Sequence, residues 1–262
     1  MSSLPTEPVP TKPLGAGDRC LEFHLLGRLD WERVWSLQQR LMYETGGRTQ
    51  PQVTVLCCEH PDSITIGRSG SRGHIRMSDE ELHRQQVSIK FVGRGGGCVY
   101  HTPGQLCLYP ILSLERFGWS VGEYLRRLQH GLCRTLREFN IEPVLQEGEF
   151  GVWGRSGLLA AVGVAVRNWV TCHGAFLNVS PSMARFAYID AVDPDRISSG
   201  RKSTLSCLLA ERRLPVKMTS VRATIVQTLA EAFSCDRHHI CTGHPLLNLR
   251  SEKSRERISR AS

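Results

Sequence analysis

Apolar positions fall into short runs broken by glycine and proline, with a few longer stretches of helical period. Cys20 to Leu26 reads as a strand. Asp30 stands at a helix start, followed by a stripe of Trp31, Val34, Trp35, Leu37, Leu41 and Met42 that ends at Gly46-Gly47. Val53 to Cys58 is a compact apolar strand, and Ile64 to Arg68 a second one after the Glu59-His60-Pro61 turn. Ser78-Asp-Glu-Glu81 and Ser120 to Glu123 have capping-box spacing. The first starts a short helix. The second starts a long one, in which Val121, Tyr124, Leu125, Leu128, Leu132, Leu136 and Phe139 recur at helical spacing.

Between these helices, strands are expected at Val87 to Phe91, Cys98 to Tyr100 and Leu106 to Ile111. Leu158 to Val166 is apolar enough for a central strand, Asn168 marks a turn, and Trp169 to His173 leads into Gly174 to Val179. Ser203 to Leu209 reads as a helix start and Thr219 to Phe233 as a C-terminal helix.

The glycines after Phe91 change the picture. Gly93, Gly95, Gly96 and Gly97 surround Arg94 and precede Tyr100 and His101. Glycines without a Cβ let backbone approach a ligand closely, and exposed N–H groups in such a loop can bind an oxyanion or amide oxygen. Arg94-Gly-Gly-x-x-x-Tyr-His101, Pro103-Gly104-Gln105 and Tyr109-Pro110 together resemble the octanoyltransferases of lipoate biosynthesis, within the biotin/lipoate protein ligase superfamily. Thr102 stands where that family usually has glycine. Three further blocks resemble it in order: Glu59-His60-Pro61 with Gly67-Arg68, Gly151-Val-Trp153 before the Gly163 strand, and His173-Gly-x-x-Leu-Asn-Val179.

The resemblance implies an α/β (α+β) catalytic domain over residues 18–248, with a mixed, mostly antiparallel sheet carrying helices on one side. It implies a pocket lined by Arg94, Gly95, Gly96, Gly97, Cys98, Val99, Tyr100 and His101, by Ala161, Val162 and Gly163, and by Gly174, Ala175 and Phe176. The implied reaction moves an octanoyl or lipoyl group from acyl carrier protein to a lysine of lipoyl domains of 2-oxoacid dehydrogenase or glycine cleavage proteins, without a cofactor. The family's usual lysine and cysteine positions hold Leu158 and Val192, which can neither carry charge nor form a thioester. Cys98 and Cys172 are substitute nucleophiles to weigh, and Arg155 a substitute cation. Two alternatives stay open. One is an inactive homologue that binds acyl groups or acyl carrier and lipoyl domains. The other is an ATP-dependent ligase, suggested by Gly95-Gly-Gly-x-Val-Tyr-His101.

Composition adds limits. The net charge is +8, of which Arg250, Lys253, Arg255, Arg257 and Arg260, against Glu252 and Glu256, supply +3. The rest is modest and lacks the aromatic interleaving of a nucleic-acid surface; it suits an acidic protein partner. No apolar run is long enough for a membrane span, and no export signal is apparent, so a cytoplasmic protein is expected. The ten cysteines then read as reduced thiols. Cys235, His238, His239, Cys241 and His244 crowd together, but their spacing fits no common zinc finger and no metal site is expected. Residues 1–17, with four prolines, read as a disordered arm and 249–262 as a charged disordered tail.

Overall fold

Alternation of side chains along a strand lets one sheet serve two cores, and this chain uses both faces of its large sheet. The computed structural model describes residues 19–146, 148–190 and 204–247. The expected arm, the expected tail and Val192 lie outside the described residues. The strands are β1 (Cys20–Arg28), β2 (Gln52–Glu59), β3 (Ser63–Ile66), β4 (Ser88–Phe91), β5 (Cys98–His101), β6 (Gln105–Ile111), β7 (Gly151–Trp153), β8 (Leu158–Arg167), β9 (Val170–Asn178) and β10 (Arg237–Thr242). The helices are α1 (Trp31–Gly46), α2 (Asp79–Arg84), α3 (Leu114–Phe117), α4 (Val121–Glu138), α5 (Leu208–Arg212) and α6 (Met218–Ala232).

A seven-stranded sheet runs β10-β1-β2-β6-β9-β8-β7 and a three-stranded one β4-β3-β5. The large sheet is parallel at β10-β1-β2 and antiparallel from β2 to β7. This is the mixed, mostly antiparallel arrangement expected. Leu21, Phe23, Val53, Val55, Leu106 and Leu108 face one way, onto Leu128, Leu132, Leu229 and Phe233 of the α4–α6 side. Leu56, Cys58, Cys107 and Tyr109 face the other way, onto Val34, Leu37 and Leu41 of α1. The expectation of helices on one side is therefore corrected. An amphipathic stripe says that α1 packs on a sheet but not on which face.

Local signals held where they were chemical. Ser78 accepts from Glu81 N while Glu81 reaches back to Ser78 N, a complete capping box. Ser120 Oγ accepts from Glu123 N at 3.1 Å. Asp30 occupies the N-cap position of α1 but its side chain makes no capping bond. The helix expected from Ser203 begins at Leu208, because Leu205 bridges Leu158 instead. Strand β10 had no counterpart in the sequence reading. All ten cysteines are free, and eight are buried.

Candidate functional site

The small sheet meets the large one through the glycine loop. Gly95 N donates to Val164 O of β8 at 3.0 Å, and Gly67, Arg68 and Ser69 N–H groups donate to Gly97, Arg94 and Gly96 carbonyls. The close approach requires glycine on both sides. A Cβ on Gly67 would lie 2.3 Å from Gly96 O, and one on Gly163 would lie 2.9 Å from Gly95 O. The sequence blocks also meet: Glu59 accepts from the Gly104 N–H at 2.8 Å and from Arg222 at 2.8 Å, tying the Glu59-His60-Pro61 turn to the Pro103-Gly104 turn.

Between the loop and strands β6, β9 and β8 lies a cavity of about 120 Å³. One buried water needs about 10–15 Å³, so a short chain of heavy atoms fits. Residues Arg94 to His101, Ala161 to Gly163 and Gly174 to Phe176 all line it, so the structure brings the three sequence-derived sets around one cavity. Leu158, Phe186, Ile189 and Leu205 supply further apolar lining. Trp31, Thr65, Gln105, Cys107, Tyr109 and His173 also line it, though none is among the pocket residues expected above. Period-two alternation from Gln105 through Cys107 to Tyr109 was the available signal.

Arg94 does not reach out as its sequence position suggested. Nη1 donates to Gly95 O at 3.0 Å and Gly97 O at 3.1 Å, and Nη2 to Thr65 O at 2.9 Å and Thr65 Oγ1 at 2.8 Å. The guanidinium is buried and clamps its own loop. Burial lowers its pKa to about 10, which leaves it charged at neutral pH.

The hydrogens of the next links follow from the acceptors. Gln105 Nε2 donates to Tyr100 O and to Asn178 Oδ1, so its Oε1 faces His101 Nδ1 at 2.8 Å. His101 therefore carries its hydrogen on Nδ1. Its Nε2 accepts from the Thr65 hydroxyl at 3.0 Å. Burial, with His60 and the Arg94 charge beside it, holds the His101 pKa well below its usual value, so it is neutral.

His60 lies edge-on to His101. It donates Nδ1–H to Leu29 O at 2.6 Å and accepts at Nε2 from Tyr109 Oη at 2.8 Å. Burial lowers its pKa to about 4. His173 has φ +57° and stacks on Trp35 at 4.8 Å. Burial, helped by the charges of Arg94 and Arg167, lowers its pKa to about 3.

The thiols separate. Cys98 lines the cavity beside the loop, and burial raises its pKa while the Arg94 charge opposes the rise. Cys107 also lines it, 3.5 Å from His101 Nδ1, with burial raising its pKa to about 12. Cys172 is fully buried and off the cavity wall, with its pKa raised by burial to about 11. Leu158, at the position of the family lysine, lines the cavity, and its N–H donates to Thr204 O at 2.9 Å. Arg155 turns away: its backbone N and Nε both reach Glu211 Oε1, and its side chain is largely exposed. Burial would raise the Glu211 carboxyl, but hydrogen bonds from Ser156 and Arg155 hold it below its ordinary value.

The chain is an α/β domain with a glycine-floored, partly apolar cavity at the junction of its two sheets. The chain belongs to the lipoyl protein ligase A/B catalytic domain family, which it matches over residues 30–230. It is 39% identical over 166 residues to the octanoyltransferase of Syntrophobacter fumaroxidans, covering 63% of this chain and 72% of that protein. It is 30% identical over 233 residues to the octanoyltransferase of Flavobacterium psychrophilum, covering 83% and 98%. Its fold is similar to that of the bipartite lipoate protein ligase of Thermoplasma acidophilum, a structure described with its E2 lipoyl domain. There the TM-score is 0.68 at 16% identity, covering 88% of this chain and 90% of that one. No helix among the described residues is long and apolar enough to cross a membrane.

Proposed function

We propose that this chain transfers an octanoyl or lipoyl group from a carrier-protein thioester to a lysine of a lipoyl domain. The reading rests on family membership and on one observation, the cavity that joins the glycine loop to an apolar wall. The acyl chain lies against Phe176, Leu158 and Ile189. Its carbonyl sits at the loop, where Gly96 and Gly97 N–H groups have no partner among the described residues. Cys98 is the acyl-accepting thiol. Its sulfur attacks the thioester carbonyl, the carrier thiol leaves with the proton, and the acceptor amine then displaces Cys98 to form the amide.

The same wall favours a second reading. Leu158 brings no charge to the carbonyl, and burial keeps both cavity thiols protonated, which suits acyl binding without transfer. Incubation with octanoyl carrier protein and an apo lipoyl domain separates the two by intact mass. Acyl-Cys98 and an acylated lipoyl domain support transfer, and both are lost in Cys98→Ser. Retention of the octanoyl group with no mass gain on the lipoyl domain supports binding alone. A gain that needs ATP and free acid supports neither. Leu158→Lys then restores an ammonium at the carbonyl, and transfer is expected to rise at least tenfold, about the 1.4 kcal/mol of one modest electrostatic contact.

A further inference from the structure

Strand β10 runs parallel to β1 at the edge of the large sheet, with His24 opposite Cys241 and Glu22 opposite His239. Leu21 and Phe23 point into the α4–α6 core, so Glu22 and His24 share the other face. The register therefore collects a carboxylate, an imidazole and a thiol. Their ligand atoms all lie within 4.8 Å of one another. None of the three lines the acyl cavity.

Two outer contacts fix how these groups point. His24 Nδ1 lies 2.9 Å from Gly243 O, and a carbonyl only accepts, so Nδ1 carries a hydrogen and Nε2 is the nitrogen left to face Glu22. Glu22 Oε2 accepts from Gln52 Nε2 at 2.7 Å, which leaves Oε1. That Oε1 stands 3.0 Å from His24 Nε2. A carboxylate oxygen this close to the ring nitrogen calls for a cation on that nitrogen, either a proton or a metal ion. A carbonyl behind the imidazole and an amide behind the carboxylate are the outer-shell partners found around metal-bound residues. His24 is buried, and the His244 ring covers it at 4.6 Å. His244 Nδ1 accepts from Leu246 N at 3.2 Å, so that ring is held by its own turn.

We propose that Glu22, His24 and Cys241 bind a zinc ion, with water as the fourth ligand. Oxygen, nitrogen and sulfur donors in one tetrahedral set suit Zn²⁺. Ordinary zinc bond lengths put ligand atoms roughly 3.3–3.8 Å apart, so the widest pair closes by about 1 Å. Cys241 releases its thiol proton as the Zn–S bond forms. The ion ties β10, whose side chains are mostly exposed, to the sheet edge.

The full-length chain, reduced and stripped with a chelator, is titrated with cobalt(II) and then zinc. One equivalent of cobalt with a thiolate charge-transfer band, displaced by zinc, is expected, and zinc should raise the Tm. Cys241→Ser and His24→Gln should each weaken binding by more than ~100-fold, beyond the loss from removing an outer-shell partner. Cys20→Ser, which removes the thiol of β1 rather than that of β10, should keep the full band. Far-UV circular dichroism checks each variant. If His24→Gln does not fold, Glu22→Gln, in which the new amide can still accept from Gln52, takes its place. Absence of the band, or a band that survives Cys241→Ser or disappears with Cys20→Ser, overturns the site and leaves Glu22–His24 as an ion pair closed by a proton.

Discussion

The two faces of the seven-stranded sheet bury the same strands and serve different ends. Under α4 and α6, Leu106, Leu108 and Leu177 meet Leu128, Leu132 and Leu229. The polar exceptions there include the Thr135 and Thr228 hydroxyls, which satisfy each other at 2.7 Å. Under α1 and the small sheet, the alternate residues of β6 and β9 include Gln105, Tyr109 and Asn178, and they meet His60, His101 and Arg94 through Thr65. An apolar face is enough to hold a sheet together. A buried polar group costs free energy unless fully bonded. A face that keeps so many of these groups, joined in hydrogen-bonded sets, has been shaped for more than stability.

The sharpest test of that contrast removes equal stability from each face. Arg94→Leu leaves the Gly95, Gly97 and Thr65 carbonyls without their donor, and a loss of about 3–5 kcal/mol is expected. Leu132→Ala on the other face should cost about 2–5 kcal/mol through its cavity. Urea unfolding should show comparable losses. Octanoyl retention, read where both variants stay folded, should vanish for Arg94→Leu and persist for Leu132→Ala. Equal retention would mean that the loop clamp has no part in the site.

Acid distinguishes the faces next, because the lowered histidines lie on one of them. The folded His60 and His173 titrate at about 4 and about 3, against an ordinary value of 6.5. Between those values the unfolded chain binds more protons, so stability rises with pH there. The share from these two histidines should be complete above about 6.5, fall as pH drops toward 4, and level off below about 3. His60 alone contributes about 3 kcal/mol of this loss, at ~1.4 kcal/mol per pH unit. Urea midpoints at pH 7, 5.5 and 4.5 check it, and a flat response from 7 to 5 would remove the buried neutral histidines.

Much of this was legible in the residues. The apolar runs at Val53 to Cys58, Leu106 to Ile111 and Leu158 to Val166 became β2, β6 and β8, as short apolar runs bounded by turn residues. The glycine loop was legible as backbone that must come close to something, and it meets both β8 and the Gly67 turn. What Arg94 faces was not legible. An arginine beside glycines promises a cation, and only the tertiary structure shows its guanidinium turned onto carbonyls. Nor was β10: Arg237 to Thr242 has no apolar alternation, since an edge strand with mostly exposed side chains has no face to bury. The Cys235 to His244 cluster could not be read as a site because two of the three ligand residues proposed above, Glu22 and His24, lie more than two hundred residues earlier.

The smallest expected effects come from adding one methyl group to each face. Gly163→Ala sets a Cβ 2.9 Å from Gly95 O and 3.3 Å from Arg94 Cδ, at the floor of the cavity. A backbone carbonyl and a clamped guanidinium cannot step aside alone, so the loop must shift, at about 1–3 kcal/mol. Gly131→Ala in α4 sets a Cβ 2.7 Å from Leu229 Cδ2, the free end of a side chain that can rotate. The strain there is offset by about 1 kcal/mol of helix preference for alanine over glycine. Gly131→Ala should therefore change stability by less than about 1 kcal/mol and leave octanoyl retention intact. Gly163→Ala should lose retention by tenfold or more while still unfolding in one transition. If the two variants lose retention alike, the distinction between a packing face and a binding face fails at its most local point, because both substitutions add the same atom and differ only in whether backbone or a mobile side chain must yield.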